Sequence, residues 1–146
     1  MSWDILRKKK YDIIHPSKVE IITFVEWQEY VDSDPELIWA ELSPMADAYR
    51  VEGKEWVAKS RLKHEAYYEL NKTGYGNLRF KFFRHFISID CERQTLKRVE
   101  KMWQVAKYFD AYLFKNGIRF TEKKLEKLRE QYRIKKEGRR APKEKK

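Results

Sequence analysis

The chain has 146 residues, 42% of them apolar, and a formal net charge of +10; that length bounds it to one domain, with at most an appendage, and is enough to bury a real core. A single cysteine, Cys91, excludes an intrachain disulfide and with it the disulfide-stapled secreted scaffolds. No run reaches the roughly 18 apolar residues of a membrane span, and the basic cluster at Arg7 to Lys10 follows the first apolar residues where a signal peptide places it before them. The expectation is a soluble, cytoplasmic protein without membrane contact.

The charge is unevenly placed. Thr121 to Lys146 holds 12 Lys/Arg against 5 Asp/Glu, and residues 1–120 hold the other 21 against 18. A near-neutral domain over 1–120 therefore carries a basic helix and tail over 121–146, expected to be disordered towards its end. Aromatic residues make up 15% of the chain, which reads first as a core filled by bulky rings and second as a source of interface anchors.

In chain order, residues 1–18 open on a short helical turn capped by Ser2, with Asp4 in its first turn. Val19 to Ile22 is β-branched and strand-like. Thr23 caps a helix over Phe24 to Tyr30, whose Phe24, Trp27 and Val31 share one face, and Glu26 completes a capping box. Pro35 ends that helix by Asp34. Glu36 to Leu42 fits a strand, although so short an apolar run does not decide its type, and Ser43-Pro44 reads as a loop start; Met45 to Tyr49 has no clear type. Gly53 marks a turn, and Trp56 to Ala58 starts a weak strand or helix. Arg61 to Leu70 fits either type, its Leu62, Ala66 and Leu70 at helical spacing but Tyr67-Tyr68 favouring strand, which is preferred after Glu65.

Gly74 and Gly76 supply turn chemistry before the strongest β segment, Leu78 to Asp90. Its apolar phase switches near Phe82-Phe83, so either a bulge resets the register there or Arg84-His85 forms a tight hairpin, and the hairpin is preferred. Asp90 is the expected cap of a helix over 92–109 with Leu96, Val99, Trp103, Ala106 and Phe109 or Asp110 as its stripe. Ala111 to Phe114 and Ile118 to Phe120 pair across Asn116-Gly117. Thr121 caps a last helix to about Lys135, with Leu125, Leu128 and Tyr132 as a narrow apolar stripe. The sum is an α+β fold: a small, mainly antiparallel sheet packed by two or three helices, with a basic C-terminal helix and tail.

The stretch Trp27 to Leu37, with its W-x-x-Y-V-x-S-D-P-x-L pattern, resembles the opening of a group of small bacterial proteins without an assigned function, and Phe80 through Phe114 is similar to their later hairpin, helix and strand. The resemblance covers about a third of the chain and carries no chemistry. It implies a bacterial α+β domain, and by association a toxin-neutralising partner protein. The basic C-terminal helix departs from the group.

Residues for catalysis or metal binding do not assemble at known spacings. His15, His64 and His85 stand apart, His64-Glu65 lacks the second histidine of H-E-x-x-H, and Cys91 has no partner cysteine. Cys91 reads as a small buried residue, with a lowered thiol pKa at a helix start as the sharper alternative. Asp47 with Glu52-Gly-Lys54 only faintly resembles an acidic-plus-lysine nuclease site. Arg79 to Arg84 alternates charge and ring as a half-buried strand does, with base stacking as the functional alternative.

No enzyme, metal or cofactor is expected. The first expectation is a non-enzymatic protein-binding module, an immunity- or inhibitor-type protein that occludes the surface of a toxin or enzyme. Tyr30, Trp39, Trp56, Tyr67 and Tyr68 are its candidate anchors, and Arg79 and Arg84 supply charge. The second is a nucleic-acid-associated protein gripping phosphates through Arg129, Arg133, Lys135, Lys136, Arg139 and Arg140.

Overall fold

A computed structural model describes residues 2–7, 21–54, 56 and 64–144, with 45, 49 and 137–144 described by backbone alone. Among these, seven strands form one open antiparallel sheet in the order β2-β3-β4-β5-β1-β6-β7. The strands are β1 Ser2–Arg7, β2 Leu37–Trp39, β3 Glu65–Leu70, β4 Gly76–Phe83, β5 Phe86–Cys91, β6 Ala111–Lys115 and β7 Ile118–Phe120. The helices are α1 Phe24–Ser33, α2 Pro44–Val51, α3 Leu96–Tyr108 and α4 Glu122–Glu144. The α+β class read from the sequence is the observed one.

The largest departure is at the N-terminus. Ser2 to Arg7 is not a helical turn but the strand inserted between β5 and β6, with Trp3 opposite Ile89 and Lys115, and Ile5 opposite Ile87 and Leu113. Trp3 and Ile5 are fully buried, alternating with Ser2 and Asp4. The period-2 pattern and pairing on both edges outweigh the local capping signal of Ser2. Ile21 and Ile22 lie in an irregular segment before α1, while the rest of that expected strand, Val19 and Glu20, falls outside the described residues. Trp56 is described, but the remainder of the segment expected to start there is not.

One face of the sheet carries the main core. Phe80, Phe82, Ile87, Ile89, Leu113 and Phe120 point towards α1, α3 and the first turns of α4. Trp27 on α1 is central to it. Its ring lies 6.2–6.3 Å from those of Tyr30, Trp39, Phe80 and Phe109, and its Nε1 donates to the His64 carbonyl at 3.2 Å. The capping box at Thr23 and Glu26 is present, and Glu26 also accepts from the Arg7 guanidinium, which fastens α1 to the centre of the sheet. Arg7, ahead of burial and the Thr23 bonds, accounts for the lowering of the Glu26 carboxyl pKa.

The other face has a smaller cluster at the β2–β3 end. The segment read as one strand over 36–42 divides into β2 and a 3₁₀ turn, Ala40–Leu42, and Pro44 then starts α2. Ala40 and Ala46 close over Tyr67, with Ile38 and Tyr75 at the margin. Gly76 is required here by a close approach: a Cβ on it would lie 2.7 Å from Cβ and Cγ of Tyr67. Gly76→Ala is therefore expected to destabilise the fold by about 1–3 kcal/mol, read from urea unfolding, and to cost little in a Tyr67→Ala background, where the ring is gone.

Both tight hairpins occur where expected. Arg84 turns β4 into β5 at φ +58°, and Asn116-Gly117 turns β6 into β7 with both residues at positive φ, as a type I′ turn requires. The edge strand β7 has only three residues, and Lys124 Nζ donates to its Arg119 carbonyl at 3.0 Å. A short edge with a lysine on its free carbonyl is a poor template for further pairing.

At the C-terminus α4 runs past Gly138 to Glu144, longer than the helix expected to about Lys135. Leu125 is fully buried and Leu128 packs on the same core. The first two turns of this helix thus share the domain's core, and the basic surface begins beyond them. Among the described residues no helix is long and apolar enough to cross a membrane.

Candidate functional site

The aromatic anchors proposed for a protein contact do not form a surface. Tyr30, Tyr67 and Tyr68 are 4%, 1% and 5% exposed. Tyr67 and Tyr68 are neighbours on one strand, so their rings enter the two opposite cores. Tyr30 donates to Asp34 at 2.6 Å within the main core. Trp39 is half-buried on β2, its Nε1 on Asp32 at 2.8 Å, and Trp56 is exposed. Arg79 lies over the Tyr75 ring at 4.4 Å and reaches Glu92 at 3.1 Å, whereas Arg84 sits at the exposed hairpin tip. Three of the five rings are committed to packing, and the other positions are scattered over both faces.

The other candidate sites resolve similarly. Asp47 pairs with Arg50 at 2.6 Å, and Glu52 faces Lys54 at 3.8 Å around the turn at Gly53, all on the surface. Cys91 ends β5, four residues before the helix cap, so no helix terminus lowers its thiol. Burial pushes that thiol up instead. Among the described residues no group of three or more His, Cys, Asp or Glu could hold a metal ion.

The basic residues of α4 do come together, and with partners the sequence reading missed. After β5 the chain turns through 92–95, and Thr95 rather than Asp90 caps α3, its Oγ1 accepting from the Arg98 N–H at 3.2 Å. Three elements hold this turn. Arg98 Nη1 donates to the Arg93 carbonyl at 2.6 Å, Lys115 Nζ donates to Gln94 Oε1 at 2.8 Å, and the Tyr132 hydroxyl lies 3.5 Å from the Gln94 carbonyl. From the other side Arg129 ties α4 to α3 through Glu100 at 2.5 Å.

Between the turn and α4 lies a groove of about 860 Å³. Its lining contains Arg93, Arg98, Arg129, Arg133, Lys135 and Lys136 and not one carboxylate. Three of the six cations are engaged from outside the groove: Arg129 by Glu100 and Glu126, Arg133 by Glu130, Arg98 by Glu69 at 3.3 Å. The Glu100 hydrogen bond raises the Arg129 pKa further, and the Arg133 bond lowers that of Glu130, so both pairs stay ionised. Arg93, Lys135 and Lys136 have no ion-pair partner among the described residues. Arg139 and Arg140 continue the same helix.

The first turn of α3 contains no acidic residue, although a helix N-terminus favours negative side chains. Lys97 and Arg98 stand where Asp or Glu is usual. That anomaly is visible in the sequence and could have drawn attention to the turn. A second cavity, about 190 Å³, lies between Trp103, Lys107, Asp110, Arg119, Phe120 and Glu122. It is smaller than most ligand pockets, and its two cations face two carboxylates, so it has no marked preference of charge.

No protein-family model, curated protein or solved structure matches the chain.

Proposed function

We propose that the protein is a nucleic-acid-binding module that grips the phosphate backbone in the groove between the 92–95 turn and α4. The observation that carries this reading is the lining: six cations and no carboxylate around about 860 Å³. Lys and Arg in such a concentration release condensed counterions from phosphates, which supplies affinity without reading sequence. The N-terminal end of α3, capped by Thr95 but with no acidic side chain in its first turn, adds to the same potential. A cytoplasmic site of action, where nucleic acid is accessible and a lone thiol stays reduced, belongs to the proposal. Occlusion of a partner protein has less support, because Tyr30, Tyr67 and Tyr68 cannot leave the core without unfolding it.

The test is anisotropy of a labelled oligonucleotide over a salt series, on the full chain and on a chain ending at Tyr132. That truncation leaves Leu125 and Leu128, and with them the packed part of α4, in place. The full chain should bind with affinity that falls steeply with salt, and the truncated chain at least about tenfold more weakly, having lost Arg133, Lys135 and Lys136. Equal binding by both chains, or affinity indifferent to salt, would refute the reading.

A further inference from the structure

The groove contains an aromatic ring as well as charge, and this selects among nucleic acids. Tyr132 lines it and is 36% exposed. Its hydroxyl approaches the Gln94 carbonyl at 3.5 Å, the outer limit of a hydrogen bond; the contact orients the ring without covering it. Arg129 lies three residues before Tyr132, and Lys135 and Lys136 three and four after it. Residues so spaced share a helix face, so the ring has a cation about one turn away on either side, roughly 4.5–6 Å along the axis. Arg93 and Arg98 form the opposite wall, and Leu96 supplies apolar lining beside the ring.

We propose that the ligand of this groove is single-stranded nucleic acid, with Tyr132 as the platform on which a base stacks; this rests on the reading of the groove as a phosphate-binding site. A stripe of cation, ring and cation suits a strand whose phosphates meet the charges while an unpaired base turns onto the ring. A duplex keeps its bases stacked on one another, so it could use the cations but not Tyr132. Stacking is also tolerant of sequence, since every base has a π-face. That agrees with a site whose remaining contacts are charges.

The experiment compares three probes: oligothymidylate, a DNA duplex of equal length, and inorganic polyphosphate, which has the charge without bases. Tyr132→Leu keeps apolar bulk and loses the π-face; Tyr132→Phe keeps the ring and loses the hydroxyl. The wild-type chain is expected to bind oligothymidylate more tightly than the duplex. Tyr132→Leu should weaken oligothymidylate roughly 5- to 100-fold and leave polyphosphate within about twofold, because the charges are unchanged. Tyr132→Phe should stay near wild type. The inference is overturned if Tyr132→Leu weakens polyphosphate as much as oligothymidylate, if it weakens neither, or if the duplex binds more tightly. Should the wild-type chain bind no probe at all, the phosphate-binding reading fails as well, a result distinct from polyphosphate binding that ignores the ring.

Discussion

Replacing Lys101 with methionine is expected to lower the unfolding free energy by about 3–5 kcal/mol, the usual consequence of stranding one buried charge. Lys101 is 3% exposed, and its Nζ donates to Asp34 and to Glu36, each at 2.7 Å. Asp34 also accepts from the Tyr30 hydroxyl at 2.6 Å and from the Glu36 N–H at 2.9 Å, and it is the residue on which α1 ends. One ammonium therefore joins α3 to the end of α1 and the start of β2. Methionine matches the volume of lysine, so the loss reports the charge and not a cavity. The double variant Asp34→Asn, Lys101→Met should regain more than half of it in urea unfolding. The amide oxygen can still accept from the Glu36 N–H, the amide nitrogen in place of the second carboxylate oxygen can donate to the Tyr30 hydroxyl, and no buried charge is left unpaired. A single variant as stable as wild type would show that the carboxylate is solvated after all.

The pH dependence has a definite sign. Burial drives the Asp34 carboxyl upward, but the bonds from Lys101 and Tyr30 outweigh it and hold the group below its ordinary value. A depressed acid contributes stability above its unfolded pKa, about 3.9, and the contribution is lost as pH falls through the lower folded value. Without Lys101 the carboxyl rises and takes up its proton earlier. The stability gap between wild type and Lys101→Met should therefore narrow as pH falls from about 7 to about 3. Tyr30 acts at the other limb: burial, then its bond to the Asp34 carboxylate, raises the phenol well above its ordinary range. Its contribution is intact below a pKa of about 10 and is lost as pH rises beyond it.

These residues show what a sequence can and cannot display. Trp27, Val99 and Phe109 announce themselves through helical spacing, and Arg84-His85 and Asn116-Gly117 through a phase switch and turn chemistry, because those signals are local. The role of Lys101 is not local. It lies 65 and 67 residues from its carboxylate partners, and a lysine on a helix reads as solvated until the packing is known. The strand β1 is hidden in the sequence for the same reason, since its partners β5 and β6 lie more than 80 residues away in the chain. Half of the groove was legible: Arg129, Arg133, Lys135 and Lys136 stand out by charge alone. Arg93 and Arg98 belong to it only because Thr95, Lys115 and Tyr132 fix the 92–95 turn beside α4.

The unpaired cations of that groove supply the second large effect. The triple variant Arg93→Gln, Lys135→Gln, Lys136→Gln is expected to bind single-stranded DNA roughly 10- to 100-fold more weakly near 0.15 M salt, since each lost phosphate contact is worth about fourfold there. The slope of log affinity against log salt should become shallower by about 2, at roughly 0.7 per contact. Stability should hardly change, because none of the three has an ion-pair partner among the described residues and glutamine keeps the stem of the side chain. Neutralising the restraining acids should act in the opposite direction. Arg129 is held by Glu100 and Glu126, and Arg133 by Glu130; all these groups are substantially exposed, so breaking the pairs sacrifices little. Glu126→Gln with Glu130→Gln removes two negative charges beside the groove and loosens both guanidiniums, so affinity should rise and the salt slope steepen. Weakening in the first variant and strengthening in the second would together locate the phosphates in the groove. A loss in the triple variant without any change in slope would instead mean that the three side chains shape the surface without meeting phosphate.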